Sequence, residues 1–374
     1  MRKVKSLILS LLILLSLTGC AEQKRLEKVG LIMLVGYDLG EESSLSTTAV
    51  VRQVSPEFES NIEIISAENE TSKGTRAIMN RKTSKKLVEG QLRVVLYGDE
   101  LANQGIGNTL NGLTRDSDIS GGIFMAVVEG ETKKILESSY KDIGDIGQHI
   151  YKLLEQNMEE ELIISSTLHE VSHDYHSIGK DISMPILSRE GESITISGMA
   201  LFNKGEMVGE LPATDSFYLK LVRDHYDSGT FETQISTEDL EETEMEGLPS
   251  ELSVVLATIK SKEKLELTNY EVPEFNLDIS LNARILELNA EIDLGDPNKV
   301  VMIEKAISKS LSSEVSRVIR YCQDMNSDVF GLGQQYRSSV KNSELTEDKW
   351  KEMYQQAKVN VHVDLNILRT GTLD

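Results

Sequence analysis

The sequence predicts a mixed α/β (α+β) fold: multi-domain, with mixed sheets and packed helices, and no transmembrane helix after the leader. Three observations predict it. From Val29 onward short apolar runs alternate with amphipathic helical periods, the pattern of strands and helices layered around a shared core. The 374 residues are 39% hydrophobic and 27% charged, a globular composition, and at about 150 residues per domain the length suits two or three domains. Beyond Cys20 no apolar stretch approaches the roughly 20 residues needed to cross a hydrocarbon core.

Residues 1–20 read MRKVKSLILSLLILLSLTGC: a basic start, a short apolar run and small residues before a cysteine, the plan of a secretory leader. The end Leu17-Thr18-Gly19-Cys20 resembles a bacterial lipobox, with cleavage between Gly19 and Cys20 and a diacylglyceryl group on the Cys20 thiol. At about 0.8 kcal/mol per buried methylene, two acyl chains hold a protein on a bilayer without basic residues. That suits the net charge of −22, which becomes −25 once Arg2, Lys3 and Lys5 leave with the leader. Such a surface repels phosphates, so nucleic acid is not an expected partner.

Strands are expected at 30–37, 46–54, 61–67, 92–97 and 123–128, with helices at 74–88 and 99–113, the latter capped by Asp99. A helix-rich stretch, 132–175, leads into the extended segment DISMPIL (Asp181 to Leu187), because the residue before a proline leaves the helical region. Residues 193–210 read as a hairpin turning at Asn203-Lys204-Gly205, followed by a helical patch at 215–223. The acidic run 233–247 contains no basic residue and reads as a solvated loop or linker; it lacks the spacing of a calcium loop. Leu277, Ile279, Leu281, Ala283 and Ile285 alternate as a half-buried strand. Asp296-Pro297 then opens a long helix whose apolar stripe runs from Val300 to Cys322, making Cys322 a buried, inert thiol. A strand at 359–367 ends the pattern. The expected division is leader 1–19, N-terminal domain 20–190, middle region 191–255 and C-terminal α/β domain 256–374.

The sharpest catalytic motif is His169-Glu170-Val171-Ser172-His173, an HExxH in which two histidines one turn apart could hold zinc while the glutamate activates water. On a helix, however, Leu168, Val171, Tyr175 and Ile178 share one face, and His169, His173 and His176 point the opposite way, into solvent. The GxxxxGK[ST], GxSxG and CxxC motifs are absent. Nothing else marks an enzyme, and no cofactor is expected.

Several stretches together resemble the Ger(x)C family, the lipoprotein C subunits of nutrient germinant receptors in endospore-forming bacteria. The lipobox at Cys20 is followed by Val35-Gly36-Tyr37-Asp38, similar to the family's Gly-hydrophobic-Asp step. LRVVLYGDELANQGI (Leu92 to Ile106) and LTRDSDI (Leu113 to Ile119) resemble its next two segments, with Leu92 where histidine is usual and Asp99 where glutamate is frequent. SGMALFNKGEMVGEL (Ser197 to Leu211) is similar to its hairpin, and DVFGLGQQYR (Asp328 to Arg337) to its glycine turn, with Trp350 downstream. The resemblance implies a non-enzymatic subunit tethered to the outer face of the spore inner membrane. Its partners would be the bilayer, through acylated Cys20, and the integral-membrane A and B subunits, with contact to the nutrient indirect. Candidate contact surfaces, each with a structural alternative as a turn, are Arg93, Arg115 and Asp116 and the turn at Phe330, Gly331 and Gly333. An extracytoplasmic solute-binding lipoprotein is the alternative reading; it requires two lobes around a cleft.

Overall fold

The computed structural model describes residues 28–53, 61–240 and 248–368; the lipobox, with Gly19 and Cys20, lies outside them. The first sheet begins with β1 (Val29–Leu39), β2 (Leu45–Gln53) and β3 (Asn61–Asn69), an antiparallel meander. Helix α1 (Ser72–Met79) and a short strand β4 (Lys86–Val88) follow, then β5 (Val94–Gly98), helices α2 (Asp99–Gln104) and α3 (Gly107–Thr114), and β6 (Phe124–Val128). Three helices, α4 (Thr132–Glu137), α5 (Ile146–Glu159) and α6 (Leu168–His176), lead to β7 (Ser183–Glu190), β8 (Ser193–Asn203) and β9 (Glu206–Pro212). The order is β3-β2-β1-β5-β6-β7-β8-β9, with β4 also pairing β1. Strands β1, β5, β6 and β7 run parallel, and β7, β8 and β9 form a second antiparallel meander.

The middle of this sheet is covered on both faces, which is why its strands read as unbroken apolar runs. In β5, Val94 and Leu96 face one core while Val95 and Tyr97 face the other, and all four are fully buried. The Gly36-Tyr37-Asp38 step has two physical reasons. A Cβ on Gly36 would fall 2.2 Å from the Thr132 hydroxyl of α4, and Asp38 accepts from the Thr132 N–H and hydroxyl, both at 2.7 Å, and from the Lys133 N–H at 3.0 Å. Strand and helix are thus held at backbone distance.

Helix α7 (Ser216–Arg223) leads into the second sheet: β10 (Thr230–Ser236), β11 (Glu251–Asn269), β12 (Glu274–Leu288) and, after helices α8 (Pro297–Asp324), α9 (Leu332–Ser339) and α10 (Glu347–Tyr354), β13 (Lys358–Ile367). They pair in the order β10-β11-β12-β13, with β13 parallel to β12. One face packs against the apolar stripe of α8 from Val300 to Cys322, and the core formed there is continuous with one side of the first sheet. Burial pushes the Cys322 thiol far above its ordinary range.

Strand β13 is an edge, and α8 caps it. The Val363, Leu365 and Ile367 N–H groups donate to Ser312 Oγ, Ser308 Oγ and Glu304 Oε1 at 3.0, 3.1 and 2.7 Å. Four helical residues rise about 6 Å and two strand residues about 6.6 Å, so an i+4 stripe matches alternate strand positions. Unpaired edge N–H groups invite pairing with other chains; here side chains occupy three of them.

Four expectations change. The helix expected over 74–88 stops at Met79, and 86–88 pair with β1. The helix expected over 99–113 is two helices, broken at Gly105 (φ 124°), and its cap residue is Gly98, with Asp99 the first helical position. The acidic loop is partly strand, since Thr233–Ser236 belong to β10; residues 241–247 lie outside the described part. Strand β11 was not anticipated, because its outward lysines and glutamates obscure the alternation and its register slips at Ala257/Lys260. Because the Gly36 Cβ has no room, Gly36→Ala is expected to cost about 2 kcal/mol, measured as a shift in the urea midpoint at unchanged slope.

Candidate functional site

The segments that carry the sequence motifs meet where the loop before β7 touches the α8–α9 turn. Asp328, fully buried, accepts four hydrogen bonds: Gly331 and Leu332 N–H on Oδ1 at 2.9 and 3.0 Å, and Gly333 N–H and Trp350 Nε1–H on Oδ2, both at 2.8 Å. Burial, with the neighbouring Asp181 charge, pushes its carboxyl up to about 7, while the Gly333, Leu332 and Trp350 donors pull the other way. The carboxylate therefore organises the start of α9 and anchors the indole of α10.

The other half of the junction is Asp181. Its N–H donates to the Asp328 carbonyl at 2.8 Å, and its Oδ2 accepts the Asp328 N–H at 2.7 Å. The same oxygen takes a short bond from Lys351, buried at 7% exposure. Lys351 also donates to the Asn326 carbonyl at 3.0 Å. Around this pair, Ser327 Oγ donates to the Phe202 carbonyl of β8 at 2.6 Å, and Tyr354 Oη to the Ser327 carbonyl at 3.0 Å. Both sheets' supporting elements are thus bonded through one buried polar network.

The glycines of the turn serve two purposes. Gly331 has φ 79°, the left-handed region that favours glycine. Gly333 does not, so positive φ explains only the first. A Cβ on Gly333 would lie 2.4 Å from the Gly179 Cα and 2.6 Å from the Trp350 ring, and one on Gly179 2.4 Å from the Gly333 carbonyl carbon. The two backbones touch directly, and Gln334 N–H donates to the Gly179 carbonyl at 3.0 Å. Phe330 is 8% exposed and belongs to the core.

The other candidates sit apart from this junction. Arg93 is exposed just before β5, its guanidinium 5.4 Å from the Tyr151 ring centre. Asp116 pairs with Lys73 of α1 rather than with Arg115, and accepts the Asp118 N–H at 3.0 Å; the Lys73 hydrogen bond holds its carboxyl below the usual range. Arg115 is exposed just past α3. Asp116 is thereby a turn-stitching residue, while Arg93 and Arg115 keep open faces.

In the HExxH helix α6, Leu168 and Val171 are buried, and His169, His173 and His176 are exposed. Glu170 is committed to a capping box, accepting from Thr167 N–H at 2.9 Å, Thr167 Oγ1 at 2.7 Å and Ser165 Oγ at 2.6 Å. Burial pushes its carboxyl up, and these hydrogen bonds outweigh that and hold it below the usual range. The buried acid is Asp174, 2.6 Å from Arg223 of α7 and 3.4 Å from Lys180. Among the described residues no three side chains of the metal-ligating types converge.

Sequence reasoning quoted Asp181 and Asp328 only as parts of an extended exit and a turn, and missed Lys351. A signal was present: an aspartate followed at +3 and +5 by glycines, with a tryptophan downstream, describes a carboxylate collecting turn N–H groups.

Residues 22–189 match the spore germination protein N-terminal domain, and residues 197–371 match the spore germination B3/GerAC-like C-terminal domain. Spore germination protein GerQC of Bacillus cereus is 24% identical over 372 residues, covering 99% of this chain and 100% of that one. The putative spore germination protein YfkR of Bacillus subtilis strain 168 is 20% identical over 403 residues, covering 98% and 96%. The crystal structure of the GerBC protein superposes with a TM-score of 0.57 at 15% identity, covering 90% of this chain and 97% of that one, a likeness of fold.

Two substitutions test the junction. Lys351→Ala strands the buried Asp181 charge and is expected to cost about 3 to 5 kcal/mol of unfolding free energy. Asp328→Asn turns an amide donor toward N–H groups and is expected to cost about 3 kcal/mol or more. Denaturant unfolding followed by Trp350 fluorescence checks both; a change under about 1 kcal/mol for either would remove the junction's structural role.

Proposed function

The chain belongs to the spore germination protein family that both of its halves match, and from that premise we propose that it is a lipid-anchored, non-enzymatic C subunit of a spore germinant receptor. It acts with the membrane A and B subunits in nutrient-triggered germination. The observation that carries this reading is the pairing of two consecutive family matches, together spanning residues 22–371, with a lipobox at Leu17-Thr18-Gly19-Cys20 immediately before them.

Physical features support each part. Among the described residues no helix is long and apolar enough to cross a membrane, so the acyl chains on Cys20 supply the attachment, by about 0.8 kcal/mol per buried methylene. Residues 21–28 are few and polar, which supports a short tether between Cys20 and β1. In the HExxH helix Glu170 is spent on the capping box and Asp174 on ion pairs, and the subunit works through surfaces. Arg93 and Arg115, both exposed, are the residues we assign to partner contact; the Phe330-Gly331-Leu332-Gly333 turn holds the frame. The two family matches also support dividing the mature chain near residue 190.

Replacing Cys20 with Ala is expected to move the protein from the membrane to the soluble fraction of disrupted spores and to impair germination. Full membrane retention of that variant contradicts the anchor. Detergent co-purification with the polytopic neighbours is expected to hold the wild-type chain, and its failure in several detergents contradicts the receptor assignment.

A further inference from the structure

The seam between the two sheets contains a half-open cavity of about 390 Å³ that the junction does not use. Its walls come from both sides: Asn157 and Leu162 at and after the end of α5, Ile196 of β8, Ser216 and Phe217 of α7, and Phe231 of β10. That volume falls within the roughly 300 to 1,000 Å³ of small-molecule sites.

Three observations indicate what it holds. The wall is apolar and aromatic: the Phe217 and Phe231 rings stack at 3.6 Å and 6°, and Tyr226 lies 5.2 Å from Phe217. Leu162, at 49% exposure, leaves a large apolar side chain in water at the cavity, although it is flanked by buried Ile163 and Ile164. Ser216, 1% exposed, lies at the wall, but its Oγ is sealed from the cavity and offers an occupant no hydrogen bond. The charged side chains of the lining are Glu161 and Glu232. Glu161 accepts the Asp227 N–H at 3.2 Å and lies 4.0 Å from Lys220, and no lining side chain is cationic, so an anion finds no partner on the wall.

We infer that this cavity binds a small uncharged ring compound, one or two fused rings in size, held by apolar and aromatic contact. The ring lies among Ile196, Leu162 and the aromatic pair. Because the walls belong to elements of both sheets, an occupant strengthens the seam by mass action. The inference stands on the cavity alone and does not depend on the receptor role.

Indole and benzyl alcohol are the neutral probes, and benzoate the anionic counterpart, titrated by calorimetry and ligand-observed NMR into the chain from Ala21 onward, which keeps every described residue. Both neutral probes are expected to bind saturably and benzoate much more weakly. Ile196→Trp is expected to abolish binding of both neutral probes by filling the space. Should Ile196→Trp unfold, Leu162→Trp, at an exposed position, supplies the same block. No saturable binding of either neutral probe, binding unchanged by a folded blocking variant, or benzoate binding as well as benzyl alcohol would each overturn the inference.

Discussion

A carboxylate removed from water must collect hydrogen bonds or give up its charge, and Asp328 collects four at the point where both halves of the chain converge. Its donors come from the start of α9 and from the Trp350 indole, and its own backbone exchanges two hydrogen bonds with Asp181. One side chain therefore fixes the turn after the long helix, seats α10 and joins the C-terminal unit to the loop entering β7. The close contact of Gly179 with Gly333 follows from this: only where neither residue has a Cβ can the two backbones come near enough for those bonds to form.

The remaining architecture distributes the same constraint. Apolar packing is continuous from one face of the first sheet, through α7, to the sheet under α8, and non-directional burial of that kind does not by itself choose one orientation. The polar contacts do. Asp181 with Lys351, Asp174 with Arg223, and Asp215 with Arg317 at 2.8 Å place oppositely charged partners across element boundaries. Removing one partner of the buried Asp181–Lys351 or Asp174–Arg223 pair would leave an uncompensated charge inside the seam.

Much of this was legible in the sequence where burial imposes a simple period. Strands β1, β5 and β6 lie in the sheet's covered centre and read as apolar runs; β12 and β13 alternate because one face is wet; α8 shows its stripe because a single face packs. Strand β11 was not legible, because its outward face carries Lys260, Lys262, Lys264 and Glu266, a composition shared with loops. The junction was hidden for a different reason. Asp181 meets the Asp328 N–H from 147 residues away and Lys351 from 170, distances at which local pattern carries no information. Family resemblance located the motif DVFGLGQQYR, but the role of its aspartate emerged only from the four donors around it.

The central claim is that the two halves form one cooperative body locked at Asp328, and native-state hydrogen exchange reads this directly. The amides of Gly331, Leu332 and Gly333 and the Trp350 indole N–H are expected to exchange only through global unfolding, with the same free energy as the Val95 and Leu96 amides at the centre of the first sheet. Exchange of the junction protons many times faster than those central amides, through a local opening, would contradict the account.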